Sequence, residues 1–234
     1  MKLRIKFRKY GPVRFIGHLD VMRFFQKANR RAELDVAYTG GFSPHQIMSF
    51  AAPLGVGLTS NGEYMDLEVH SLTSCEDVKT RLNAASVPGI EITSVKILPD
   101  KAGNAMASVA GADYEVRFRE GYELEEGWKK KLEEFLALPE IRIMKETKKG
   151  EQEVDIRPWV YDYHIKDQTI FLKVSAGSVH NLKPELLLKA FGDWAGVEIP
   201  AFALLICRKE MYADEGSETE RKLVALEELG EEIG

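Results

Sequence analysis

Lys2, Arg4, Lys6 and Arg8 alternate with Leu3, Ile5 and Phe7 at the front of the chain. A period of two puts the apolar residues on one face of a β-strand and the cations on the other. A strand of this kind needs a covering layer on its apolar side only, which favours one sheet with helices on one face. Gly11-Pro12 ends the strand. Leu19, Met22, Phe25, Ala28 and Ala32 then recur at spacings of three or four, which predicts a helix over 18–32 with these residues inward. Extended segments are expected over 36–38, 46–52 and 64–70, a short helix over 77–85 and a strand over 90–98.

The order strand, helix, strand, strand, helix, strand is that of a split βαβ unit. Residues 99–111, with little periodicity, read as a linker. Beyond it the order returns: a strand over 114–119, a helix over 124–138, and strands over 141–147 and 153–164 joined at Lys148-Lys149-Gly150. A strand over 169–175, a helix over 184–191 and a strand over 202–209 complete it. The fold class expected is therefore α+β: tandem ferredoxin-like (split βαβ) domains with antiparallel sheets, over 1–100 and 112–212. An extra hairpin strand is expected in the second, its turn at Asp167-Gln168. The halves share pattern and no visible identity. Residues 213–234 read as an acidic C-terminal helix or tail, because Leu223, Leu226 and Leu229 sit three apart among carboxylates.

The 234 residues suit two domains, and 44% hydrophobic content with 29% charged suits a folded core. No apolar run is long enough to span a bilayer, and the N-terminus lacks the apolar block of a signal peptide. Cys75 and Cys207 are expected as free thiols in the cytoplasm. Two cysteines are too few for an iron–sulfur cluster. No phosphate loop, dinucleotide fingerprint or zinc pattern occurs, so neither metal nor cofactor is expected. Net charge is −5, yet residues 1–50 hold ten Lys/Arg against three Asp/Glu. That imbalance excludes a chain that coats nucleic acid everywhere and points to one local anion-binding face.

The candidate residues for binding RNA or another polyanion lie in that block: Arg14, His18, Arg23, Lys27, Arg30, Arg31, Gly40, Gly41 and His45. Guanidinium groups on the outer side of the first helix can hold phosphates in bidentate fashion. Lys2, Arg4, Lys6 and Arg8 would add a second basic surface on the helix-free side of the sheet. Gly40-Gly41 frees backbone N–H groups for close approach of an anion. Phe42 could stack a base, but large aromatics are mostly buried, so it is expected to plug the core. His18 is the one candidate for acid–base catalysis, against a local role at the helix start. Asp155 and Arg157, with Glu63 and Asp66, are expected to brace a domain junction.

Several blocks resemble a bacterial family of radical-SAM-linked (radical-SAM-associated) proteins of unknown function. They are Arg14-Phe15-Ile16-Gly17-His18-Leu19-Asp20, Arg30-Arg31-Ala32, Gly41-Phe42-Ser43-Pro44-His45, Pro53-Leu54, Gly62-Glu63-Tyr64-Met65-Asp66 and Val154-Asp155-Ile156-Arg157-Pro158. The chain departs from that family at Thr39-Gly40 and at Ser43. In the family the module adjoins or accompanies a cobalamin-binding radical-SAM protein. The resemblance implies an accessory role in a modification reaction on RNA, with a separate radical-SAM protein as partner. The chain carries no CxxxCxxC and so cannot hold that enzyme's cluster itself. Duplicated ferredoxin-like domains also occur in CRISPR repeat-processing endoribonucleases, a likeness of architecture alone. Two alternatives stay open: a metal-independent RNA-processing or RNA-modifying enzyme using His18, and a pure protein–protein adaptor.

Overall fold

The alternating segment forms β1 (Lys2–Lys9), with Leu3, Ile5 and Phe7 fully buried. A computed structural model describes residues 1–147, 150–217 and 220–233. The chain makes two units, Met1–Gly111 with Arg208–Gly234, and Ala112–Cys207. The architecture is mixed α+β with mostly antiparallel strands.

In the first unit a short 3-10 turn (Gly11–Phe15) leads to α1 (His18–Arg31), then β2 (Met48–Phe50) and β3 (Thr59–Glu68). Next come α2 (Cys75–Ala84), β4 (Ile90–Leu98) and α3 (Ala105–Ser108). The order across the sheet is β4-β1-β3. β1 pairs antiparallel with β3 and β4, and β2 pairs antiparallel with residues 65–67 of β3. β10 (Leu204–Asp214) also lies beside β3; its residues 204–207 belong to the second unit. Gly62 permits this approach, since a Cβ there would stand 2.6 Å from the Lys209 carbonyl oxygen. The apolar side of the sheet meets α1 and α2. Phe7, Phe25 and Phe50 pack ring on ring at 4.8–6.2 Å, and Val78 and Leu82 close the core from α2.

The buried stripe of α1 is Val21, Phe25 and Ala28 with Asn29. Leu19, expected inward, is 59% exposed. It lies roughly 200° around the helix from Val21, away from the stripe that Phe25 and Ala28 continue. Residues 99–111, expected as a linker, fold against the unit: Ala105 is fully buried and its N–H donates to Asp66 at 2.7 Å. Residues 223–229 also differ from the expected helix or tail. They form β11 (Leu223–Ala225), paired with β10, and a 3-10 turn (Leu226–Leu229) with Leu226 fully buried. Spacing by three fits a 3-10 turn as well as an α-helix, and backbone pairing with residues 212–214 decides between them.

The second unit holds β5 (Gly111–Phe118), α4 (Trp128–Leu136), β8 (Val160–Lys166), β9 (Thr169–Ser175) and α5 (Pro184–Ala195). Its strands run in the order β10-β5-β9-β8. Asp167, with φ 54°, turns the β8–β9 hairpin. The strand expected over 153–164 is broken by a 3-10 turn at Arg157–Trp159, because Pro158 cannot donate to a ladder. What precedes the break is β7 (Gly150–Asp155), which pairs with β6 (Arg142–Thr147) as a separate two-stranded sheet. The turn expected at Lys148-Lys149 lies outside the described residues.

On its other side β1 carries Lys2, Arg4, Lys6 and Arg8, and here the first unit satisfies them internally. Arg4 is 1% exposed. Its Nε and Nη2 grip both Asp66 oxygens at 2.9 and 3.0 Å, and its Nη1 donates to the Leu226 carbonyl. Lys6 Nζ lies 2.6 Å from Glu210 and 2.5 Å from Glu227. Tyr64 donates its hydroxyl to Glu210 at 2.5 Å. Arg208 holds Glu63 in a second buried fork at 2.8 and 2.6 Å. Lys2 donates to the Ala102 carbonyl, and Arg8 to Glu91 and Asn61. Of the second basic surface expected on this side, Arg4 is buried and Lys6 is paired with two carboxylates, which leaves Lys2 and Arg8 half-exposed.

Two predictions follow from this charged face. Arg4→Met strands the Asp66 carboxylate in the interior, which costs about 3–5 kcal/mol; urea unfolding should show that drop, and a change under about 1 kcal/mol would contradict the buried fork. The second concerns alkali. Burial, then the charge and hydrogen bond of Glu210, push the Tyr64 phenol far above its ordinary value. Burial pulls Lys6 down, but the Glu210 and Glu227 carboxylates outweigh it and its pKa is raised. Both groups keep protons in the folded unit that the unfolded chain releases, so their stabilisation is complete below about pH 10 and is lost above it. Lys9, lowered chiefly by burial, has the opposite sign, its penalty at neutral pH easing as pH rises toward its ordinary value. Stability measured from pH 9 to 11 should fall, and Tyr64→Phe should flatten that fall.

Candidate nucleic-acid interface

The cations of α1 take a different course from those of β1. Arg23, Lys27, Arg30 and Arg31 are all exposed. Spacings of four, three and one put them on one stripe of the helix, opposite the stripe that packs on the sheet. Among the described residues one carboxylate contacts this set: Asp20 lies 3.4 Å from Arg23, with both side chains more than 60% exposed. A pair so wet contributes little. Arg31 turns to the end of α2, donating to the Ala85 carbonyl at 2.7 Å, with its guanidinium 5.9 Å over the Phe24 ring.

Beside this stripe stands the loop over 39–45. Its base is a small ladder: Tyr38 bridges Gln46 antiparallel, Thr39 N–H donates to the His45 carbonyl at 2.9 Å, and His45 N–H donates to the Thr39 hydroxyl at 3.1 Å. The His45 Nδ1 is 3.1 Å from the same hydroxyl. Ala37 and Ile47 tie the ladder to Glu68 of β3 through backbone bonds. Gln46, buried, fastens the loop to α1. It accepts from Asn29 Nδ2 at 2.9 Å and donates to the Gln26 carbonyl at 3.0 Å. Arg30 Nε donates to that same carbonyl at 3.2 Å. One carbonyl oxygen thus brings the guanidinium of the helix to the foot of the loop.

Phe42 projects from the loop at 112% exposure, in contrast to the expected place in the core. The ladder, pinned to both β3 and α1, aims the tip away from the core, and Gly40, Gly41, Ser43 and Pro44 around it are exposed too. Gly41 adopts φ 100°, a region that favours glycine, and the space around Gly40 and Gly41 is open to 4 Å.

The structure therefore puts Arg23, Lys27 and Arg30 on one exposed stripe of α1 and fastens the base of the loop that carries Gly40, Gly41 and His45 to the same helix at Gln26, beside Arg30. His18 lies at the opposite end of α1, twelve residues or about 18 Å along the axis from Arg30, and Arg14 lies in the 3-10 turn before the helix. The Arg14 guanidinium sits 4.7 Å over Phe15, and the His18 ring stands edge-on to Phe50 at 5.2 Å. No described hydrogen bond joins His18 to a carboxylate. The brace expected from Asp155 and Arg157 is also drawn differently. Asp155 accepts from the N–H groups of Ile141 and Arg157, and Arg157 donates to the Val160 carbonyl. The motif holds the turn that Pro158 makes within the second unit, while Glu63 and Asp66 serve Arg208 and Arg4 in the first. Gln46, Asn29 and Tyr38 escaped the sequence reading. The signal present was the absence of any apolar neighbour from 39 to 45 that could escort Phe42 inward.

Among the described residues no group of three His, Cys, Asp or Glu side chains is arranged to hold a metal ion, and no helix is long and apolar enough to cross a membrane. The chain belongs to a family of uncharacterized proteins conserved in bacteria (DUF2344), whose model matches residues 2–184. No curated protein matches it. Among solved structures, a chain in the crystal structure of a Cbf5-Nop10-Gar1 complex is similar at a TM-score of 0.49 with 12% identity; the likeness covers 89% of this chain and 48% of that one. This chain thus spans about half the length of that structural neighbour. None of these likenesses assigns an activity.

The interface makes its own stability prediction. Phe42→Ser should leave the unfolding free energy within about 0.5 kcal/mol of wild type, as for a surface side chain without contacts. Gln46→Leu should cost about 1–3 kcal/mol, because the Asn29 amide is left buried without an acceptor. Equal, large losses in both variants would mean that the Phe42 ring is packed.

Proposed function

We propose that this chain is a non-catalytic cytoplasmic module that binds RNA through α1 and the loop over 39–45. A separate radical-SAM enzyme acts on the RNA so held. The observation that carries the reading is the Gln26 carbonyl shared by Arg30 and Gln46, which sets an open cationic stripe beside a glycine-rich loop with an exposed ring. Arg23, Lys27 and Arg30 hold backbone phosphates as bidentate or point donors. Gly40 and Gly41 let the backbone of the ligand come close. Arg31, partly committed to Ala85, adds charge at the end of the stripe, and His45 adds ring nitrogens at the loop base. The radical-SAM partner rests on the resemblance of the sequence blocks alone. We read the two units as split βαβ units of ferredoxin-like type, since each carries its strands in the order fourth, first, third, with the second strand also on the third.

The adaptor reading draws support from a different place. Phe15, Leu19 and Val56 are each about 60% exposed, and Gly57 next to Val56 donates to the Arg14 carbonyl, so apolar side chains gather near the start of α1. For His18 the contact with Phe50 supports a packing role.

Salt separates the readings. Affinity for an RNA oligonucleotide should fall log-linearly with salt, each phosphate contact adding about 0.7 to the slope for a single strand. Lys27→Ala with Arg30→Ala should lower the slope by about one to one and a half. Arg8→Ala, which breaks an exposed pair with Glu91 on another surface, should leave it unchanged. An absence of RNA binding at 50 mM salt would sink the RNA reading and leave the adaptor.

A further inference from the structure

We propose that the Phe42 ring is a stacking platform for one unpaired base, and hence that the ligand is single-stranded RNA. This rests on the RNA reading above and names the ligand class for the same surface. The first support is exposure. At 112% both faces and the edge of the ring are open to solvent, so a flat partner can reach either face without displacing anything.

The second support is isolation. The cores of protein–protein interfaces are apolar and close-packed, with a ring of contacts that excludes water. Phe42 has no such surroundings. Its loop neighbours Gly40, Gly41, Ser43 and Pro44 are small or polar and themselves exposed. A lone ring with two free faces suits a flat partner that needs nothing else apolar around it, and a nucleobase is such a partner.

The third support is placement. The Thr39–His45 ladder and the Gln46 anchor hold the loop base to β3 and α1, so little backbone freedom is lost when a base docks. Arg30 stands at the same anchor, with Lys27 and Arg23 one and two turns back along α1. A strand whose phosphates run along that stripe delivers a base to the ring. An A-form duplex cannot do so, because its bases are already stacked on each other and its deep groove keeps side chains out.

The test measures anisotropy of a labelled ten-nucleotide RNA, alone or in a blunt duplex, with wild type, Phe42→Ala, Phe42→Leu and Phe42→Trp. Phe42 packs on nothing, so the variants fold. Wild type should prefer the single strand. Phe42→Ala and Phe42→Leu should each weaken single-strand binding by about tenfold or more with an unchanged salt slope, and leave duplex binding as it was. Phe42→Trp should retain affinity, and its added indole emission, taken as the difference from wild type, should be quenched on binding. Wild-type affinity in Phe42→Ala with the salt slope intact would overturn the stacking proposal while leaving the cationic stripe as an RNA surface. Full retention by Phe42→Leu would overturn it too, since a non-aromatic apolar contact would then suffice. Absence of binding to either RNA form by wild type would overturn the RNA reading itself, and the proposal with it.

Discussion

The fork between Arg4 and Asp66 organises the first unit. A guanidinium and a carboxylate with almost no exposure are tolerable only when every donor and acceptor finds a partner. Here Arg4 reaches Asp66 and the carbonyls of Leu226 and Gly103, while Asp66 also takes the Ala105 N–H. Those partners come from β3, from the segment after β4 and from the end of the chain. One charged face of one strand thereby recruits two segments that sequence alone would leave loose. Lys6 with Glu210 and Glu227 repeats the device along the same side, and Arg208 with Glu63, which stands opposite Phe7 of β1, repeats it on the other face of the sheet.

The functional consequence lies on the other side. Because Arg4 and Lys6 of β1 are neutralised within the fold, the exposed stripe of cations in the first fifty residues lies on α1. The sheet needs α1 for its apolar stripe, Val21, Phe25 and Ala28, and this leaves Arg23, Lys27 and Arg30 outward by helical geometry. The loop over 39–45 is held beside them by buried amides: Gln46 bonded to Asn29 and to the Gln26 carbonyl. Such amides are stable only when their bonds are made, so they set position more than they add strength. The proposed recognition depends on where an exposed ring and three cations are held relative to one another.

Much of the fold could be read from local pattern. The alternation of residues 2–8, the three-and-four spacing in α1 and the apolar strands over 90–98 and 169–175 each report a period that the backbone itself imposes. The misreadings share a cause. Residues 223–229 pair with β10, the strand over 153–164 stops at Pro158, and Leu19 turns outward because Val21 is chosen for the core. In each case a neighbour distant in sequence, or a single proline, outweighed a periodicity that fitted equally well. Phe42 was misread because burial statistics for aromatics describe averages, whereas the Thr39–His45 ladder turns this one out.

The sequence by itself determined the secondary elements and the excess of cations near the front, because hydropathy period and charge are properties of neighbouring residues. Tertiary structure alone decided which of those cations remain available. Asp66 is 62 residues from Arg4, Glu210 is 204 from Lys6, and Glu227 is 221 from it. Charges cancel by distance in space, and no spacing along the chain encodes that.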